Sequence, residues 1–172
     1  PQVAKPFPDK LYVFDVIETR PMAFSTRREL FKRSRSETAC PRHDIIIIMD
    51  AGVDGLTVAN TTVQRPSEMT DTQTQEAGGL SGAPLFPIAL EIIGDMYRRT
   101  DGRVPIIACG GVASGADAYA MIRAGASLVQ LYTALVFYGP GLIPRIKRDL
   151  TDLLKRDGFA SVSDAVGVDR KG

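Results

Sequence analysis

The sequence contains no tryptophan, a single histidine and only two cysteines among its 172 residues. Cys40 and Cys109 stand in unrelated contexts and form no metal-ligand spacing, so no metal site is expected and a reducing compartment is. His43, the sole histidine, reads as a surface residue near a helix start rather than a ligand or a base. Long apolar runs are also missing. The longest, Ile45 to Met49, is far short of the roughly 18 residues a membrane-spanning helix needs. An excess of one sign of charge is absent too: the formal net charge is +1, which points to neither nucleic acid nor an acidic membrane surface. No initiator methionine or signal peptide opens the chain. Pro1-Gln2-Val3-Ala4-Lys5 reads as a start inside a strand, and the expectation is a piece of a longer product. What remains is ordinary for a globular protein, 44% hydrophobic and 24% charged, and long enough for one domain with a real core.

Residues 1 to 9 read as a short strand, Gln2 to Lys5, running into a turn at Pro6-Phe7-Pro8-Asp9. Residues 10 to 43 sustain neither a helical nor a strand period. They mix Tyr12, Phe14 and Phe24 with the basic stretch 27–35, whose plain reading is a solvated insertion loop. From Asp44 the pattern becomes regular. Residues 44 to 51 fit the end of a helix closed by Gly52, and Gly55 to Ala59 a short strand. Leu85, Ile88, Ala89, Ile92, Ile93 and Met96 follow the spacing of an amphipathic helix that stops at Asp101-Gly102. Val104 to Cys109 is an apolar strand ending in Gly110-Gly111. Ser114 and Asp117 resemble a capping box that opens a helix closing at Gly125. Ser127 to Leu131 is the next strand. Leu142, Ile146, Leu150 and Leu153 mark one face of a last long helix.

Strand and helix alternate, and the strands are almost wholly apolar, the signature of βα units on a parallel sheet buried on both faces. A (β/α)8 barrel and a doubly wound sheet share this alternation, so periodicity leaves both open. Each strand ends in small or hydroxylated residues: Asn60-Thr61-Thr62, Gly110-Gly111 and Tyr132-Thr133. In a (β/α)8 barrel the chemistry sits at such strand ends. A complete barrel takes about 250 residues, and the expected strands are too few to close one. Two apolar edges would stay exposed unless a partner covers them.

Three segments carry candidate chemistry. Residues 54 to 62 put an amide and two hydroxyls at a strand end, suited to orienting a small polar substrate. Gly78-Gly79-Leu80-Ser81-Gly82 is a loop where backbone can approach a flat ring or a phosphate closely. Gly110 to Gly115 runs into a helix N-terminus whose amides and dipole could hold an anion, although its spacing is not that of the dinucleotide fingerprint. Turn geometry alone explains any one such glycine loop. Three in register, each at an expected strand end, weigh against that explanation.

The runs GLTVANTTVQRP, GGLSGAPL, GRVPIIACGG and IRAGASLVQLYTAL with FYGP occur in this order. Together they resemble dihydroorotate dehydrogenase, and the last resembles the class 2, quinone-reducing branch. The resemblance covers about residues 44 to 169 and extends to Val3-Ala4-Lys5-Pro6-Phe7-Pro8-Asp9. It implies the C-terminal half of a (β/α)8 TIM barrel, incomplete and interrupted by an irregular insertion at 10–43, with residues 1–172 forming one partial FMN-binding domain. It further implies oxidation of dihydroorotate to orotate through FMN, with electrons passed to ubiquinone, in pyrimidine synthesis.

Matched position by position, the resemblance implies that Asn60 and Thr61 bind substrate. Lys5 would lie against the FMN ring, where a cation stabilises reduced flavin. Gly82 and Gly111 match backbone contacts to FMN, and Tyr132 and Thr133 match phosphate contacts. Ala59 falls where many members have threonine beside FMN, a change that matters only if the hydroxyl is used. Lys5 and Asn60 are 55 residues apart (60 − 5), whereas a βαβ unit needs about 30, which makes residues 10–43 an insertion or a gene-model artefact. The family's first half, with its catalytic serine base, quinone tunnel and membrane-associated helices, has no counterpart here. Ser81 and Ser114 lie in the wrong motifs to replace that base, so no catalytic residue is assigned. Membrane association and a mitochondrial inner-membrane location follow only from the resemblance. Two alternatives remain: a non-catalytic fragment, and another FMN- or phosphate-binding barrel enzyme such as an inosine monophosphate dehydrogenase-like protein. The latter works through a catalytic cysteine loop, whereas Cys109 reads as a small core residue in a strand.

Overall fold

The computed structural model describes residues 54–58, 60–62, 65, 69 and 78–170. Lys5, Ala59, Cys40, His43, the insertion at 10–43 and the expected helix over 44–51 lie outside the described residues.

Three short apolar segments form one sheet: β1 (Leu56–Val58), β2 (Ile106–Cys109) and β3 (Leu128–Gln130). They lie in sequence order and are parallel, with Leu56 opposite Ile106, Val58 opposite Ala108 and Ala108 opposite Val129. Parallel neighbours need a crossover, and helices α1 (Phe86–Thr100) and α2 (Gly115–Ala124) supply the two. Beyond β3 come α3 (Thr133–Tyr138), α4 (Leu142–Arg156) and the single turn α5 (Val162–Ala165).

Alternation along the strands sorts the side chains into two faces. Leu56, Val58, Ile106 and Ala108 are buried with Leu85, Ala89 and Ile93 of the α1 region and with Ala118 and Met121 of α2. Thr57, Ile107, Cys109, Leu128 and Gln130 fall on the other face, where Leu128 keeps 39% of its surface exposed. Three consecutive parallel strands with helices on one side form an arc of a barrel wall. That is the incomplete α/β architecture expected from the sequence.

Local chemistry fixes the helix ends. Pro87 occupies the first turn of α1, where an amide proton is not needed. The helix closes on Asp101 in the left-handed region, with Arg98 and Arg99 in the last turn facing its negative end. In α2 the Ser114 side chain accepts from the Asp117 amide at 3.1 Å, and the Asp117 carboxylate accepts from the Ala113 amide at 3.0 Å. Gly115 lies against Asp149 of α4, where a Cβ would come within 2.3 Å of the Asp149 Cβ. The Ser114 cap and the packing of Gly115 on α4 fix where this helix starts.

A second small core holds the C-terminal turns in place. Tyr119, Ile122, Leu154 and Ala165 are buried together. Over them the Tyr119 hydroxyl donates to Asp157 at 2.7 Å, while Arg123 pairs with both Asp157 and Asp169. Hydrogen bonds from Arg156 and then Tyr119 hold the Asp157 carboxyl down to about 2. Burial, followed by the bond to Asp157, pushes the Tyr119 hydroxyl above its ordinary value.

Candidate functional site

Because the strands are parallel, their C-terminal ends open onto one edge of the sheet. The segments following β1 and β3 and the Gly110–Gly111 turn after β2 meet there with the loop 78–82. Thr62 and Leu80 form an antiparallel bridge, through amide-to-carbonyl bonds of 3.2 and 2.7 Å. Asn60 is exposed, and its Oδ1 accepts from the Thr61 amide at 2.7 Å. Thr61 lies so close to Gly79 that a Cβ on residue 79 would fall within 2.0 Å of the Thr61 hydroxyl. No residue larger than glycine fits there without displacing Thr61.

On the far side of the loop, the Thr133 hydroxyl donates to the Ser81 hydroxyl at 3.3 Å. A Cβ on Gly82 would touch the Thr133 methyl at 3.3 Å. Gly111 has a φ of +70°, and a Cβ there would lie 2.6 Å from the Phe86 amide nitrogen and 2.8 Å from the Gly82 carbonyl oxygen. The position needs glycine for both conformation and space. Tyr132 is 77% exposed at the start of α3.

Of the residues anticipated from the sequence, Asn60, Thr61, Gly82, Gly111, Tyr132 and Thr133 all lie along this edge. The contacts join Thr61 to the loop at Gly79, Thr133 to Ser81, and Gly111 to Gly82. Lys5 and Ala59 lie outside the described residues. Arg65 was not anticipated. Its guanidinium donates to the Thr62 carbonyl at 3.2 Å and to the Gly78 carbonyl at 2.8 Å, stapling the β1 end to the glycine loop. An arginine three residues beyond a hydroxyl cluster and upstream of a Gly-Gly pair was the available signal.

The edge offers neutral hydroxyls, one carboxamide and backbone polar groups bared by glycine, and none of these gathered residues carries a carboxylate. Such a set suits a flat polar ring and an anionic group. Among the described residues no group of histidine, cysteine or acidic side chains is arranged to hold a metal ion. No helix among them is long and apolar enough to cross a membrane.

A parallel α/β wall with glycine and hydroxyl groups gathered at its strand ends is the arrangement of the barrel-enzyme class. A family profile described as dihydroorotate dehydrogenase matches residues 37–154, more than half of the chain. The dihydroorotate dehydrogenase (quinone) of Azorhizobium caulinodans is 58% identical over 123 residues, 72% of this chain and 35% of its own. The mitochondrial enzyme of Oryza sativa is 57% identical over 69% of this chain and 26% of its own, and that of Mus musculus 49% over 83% and 36%. Among solved structures, dihydroorotate dehydrogenase of Eimeria tenella in complex with ferulenol superposes with a TM-score of 0.73 at 43% identity, covering 76% of this chain and 35% of that one. Its ligand-free form gives 0.76 at 40% identity, covering 81% and 39%. The chain belongs to the dihydroorotate dehydrogenase family. It spans about a third of the length of the curated relatives it matches. Family membership sets aside the inosine monophosphate dehydrogenase-like alternative and decides for the barrel over the doubly wound sheet.

Proposed function

We propose that this chain forms one wall of an FMN and dihydroorotate site in a quinone-reducing dihydroorotate dehydrogenase. The observation that carries this reading is the convergence of Thr61, Ser81, Gly82, Gly111 and Thr133 on one edge of the sheet. Bound FMN would supply the redox chemistry, accepting hydride from dihydroorotate and passing electrons to a quinone.

The chain's own residues act by binding and orienting. Asn60 and Thr61, both exposed at the end of β1, present donors and acceptors to the carboxylated pyrimidine. Gly82 and Gly111 let backbone approach the flavin where a side chain would stand in the way. Tyr132 and Thr133 face its phosphate, and Lys5 supplies a cation to the reduced ring. Ala59 contributes backbone alone. No base for the substrate proton is proposed among the described residues: Ser114 accepts the Asp117 amide in its helix cap, and Ser81 lies in the glycine loop beside Thr133. In this reading residues 1–172 are one partial barrel domain with an insertion at 10–43. Membrane contact and quinone access belong to parts of the family outside this chain's matched segments, and the location is the mitochondrial inner membrane. Relatives named mitochondrial and bacterial relatives match comparably well.

The test is orotate binding to the FMN-saturated chain, followed by the change in the flavin absorption spectrum. The expected result is a saturable perturbation that Asn60→Ala and Thr61→Ala each weaken about tenfold, the loss of a hydrogen bond to a charged ligand. A perturbation indifferent to both substitutions contradicts the assignment. Dihydroorotate itself should give no turnover, and measurable reduction of flavin by the purified chain contradicts the absence of a base.

A further inference from the structure

We infer that Ser81 is a positioning residue that turns the Thr133 hydroxyl toward a flavin's phosphate. This rests on the flavin reading above and goes beyond it in naming a residue that acts through another. Thr133 Oγ1 and Ser81 Oγ are 3.3 Å apart, joining the glycine loop to the end of β3 across 52 residues of sequence. Ser81 is held in place from both sides of its loop. Upstream, Leu80 is bridged to Thr62 and the Gly78 carbonyl is bonded to Arg65. Downstream, the Gly82 carbonyl packs against Gly111.

Each hydroxyl has one proton and two lone pairs. Either hydroxyl can donate across the 3.3 Å separation, and rotation about two C–O bonds interchanges the two arrangements. When Ser81 donates to Thr133, the Thr133 proton is free for a phosphate oxygen. In a chain of hydroxyls each bond polarises the next, and the last bond, to a charged oxygen, is the stronger kind. No proton leaves either residue, so the relay balances without a further reactant. Alanine at position 81 would leave Thr133 its proton but remove the neighbour that orients and polarises it.

The experiment compares FMN with riboflavin, which lacks the phosphate, on the wild-type chain, Ser81→Ala, Ser81→Thr, Thr133→Val and the Ser81→Ala/Thr133→Val double variant. Circular dichroism confirms that each chain is folded. Ser81→Ala is expected to weaken FMN about three- to tenfold, the worth of one hydrogen bond, and to leave riboflavin unchanged. Ser81→Thr, which keeps a hydroxyl, restores FMN affinity, and in the Thr133→Val background the alanine adds no further loss. Equal weakening of both flavins, or of neither, overturns the relay while leaving the flavin site standing. A folded wild-type chain that binds neither flavin overturns the flavin reading and the relay with it.

Discussion

Arg65 reaches across 13 residues to donate a 2.8 Å hydrogen bond to the Gly78 carbonyl, while its other terminal nitrogen holds the Thr62 carbonyl at 3.2 Å. This fork fixes the glycine loop to the end of β1. The positions of Gly79, Ser81 and Gly82 relative to Thr61 and Thr133 depend on it.

Arg65→Ala should loosen the loop without unfolding the sheet. The Leu80 amide, bonded to the Thr62 carbonyl at 2.7 Å, should exchange its hydrogen faster, by the equivalent of about 1 kcal/mol in local opening. Arg65→Lys should not restore protection, because an ammonium lacks the planar fork. Unchanged exchange at Leu80 contradicts the staple.

Gly111→Ala should be costly. A left-handed φ and a Cβ pressed within 2.6 Å of the Phe86 nitrogen together imply a loss of about 1–3 kcal/mol or more. Urea unfolding measures it, and a midpoint equal to wild type rules out the close approach of the two loops.

The two faces of the sheet predict unequal costs for the same substitution. Leu56 is fully buried against the helices, so Leu56→Ala should destabilise by about 2–5 kcal/mol. Leu128 lies on the opposite face and is 39% exposed. Leu128→Ala should cost clearly less by the same unfolding measurement, and equal losses argue against the assignment of faces.

Acid stability should depend on Asp157. Its folded value, about 2, lies below the ordinary carboxylate range of about 4. The stabilisation is therefore present above about pH 4 and fades as pH falls toward 2. Asp157→Asn should flatten the fall in melting temperature across that window, and an unchanged slope contradicts the network. At the other extreme, the raised Tyr119 value favours the folded state below its ordinary value near 10, and that help is lost as pH rises through the folded value.

Elements with enough length to show a period were legible in the sequence. The spacing of Leu85 to Met96 and the Asp101-Gly102 stop correspond to α1, and Ser114 and Gly125 bound α2 as expected. On α4 the stripe drifts, with Leu142, Ile146 and Leu154 buried while Leu150 and Leu153 are half-buried. The short α3 was missed, because six residues, mostly apolar, directly after a strand show no resolvable period. The single turn α5 is opened by a capping box between Ser161 and Asp164, too short a helix to show a period in the sequence. Cys109, read as core, is half-buried on the face away from the helices. The gathering of Asn60, Thr61 and Thr133 at one edge of the sheet was legible, because strand ends follow from the strand pattern. Arg65 was not, since its partners are backbone carbonyls and a carbonyl leaves no mark in a sequence.

Whether this chain carries part of a flavin site is decided by titrating the purified chain with FMN and following flavin fluorescence. Saturable, stoichiometric quenching is expected, weakened by Thr133→Val and weakened further by Lys5→Ala. A folded chain that leaves flavin fluorescence unchanged at every concentration contradicts such a site.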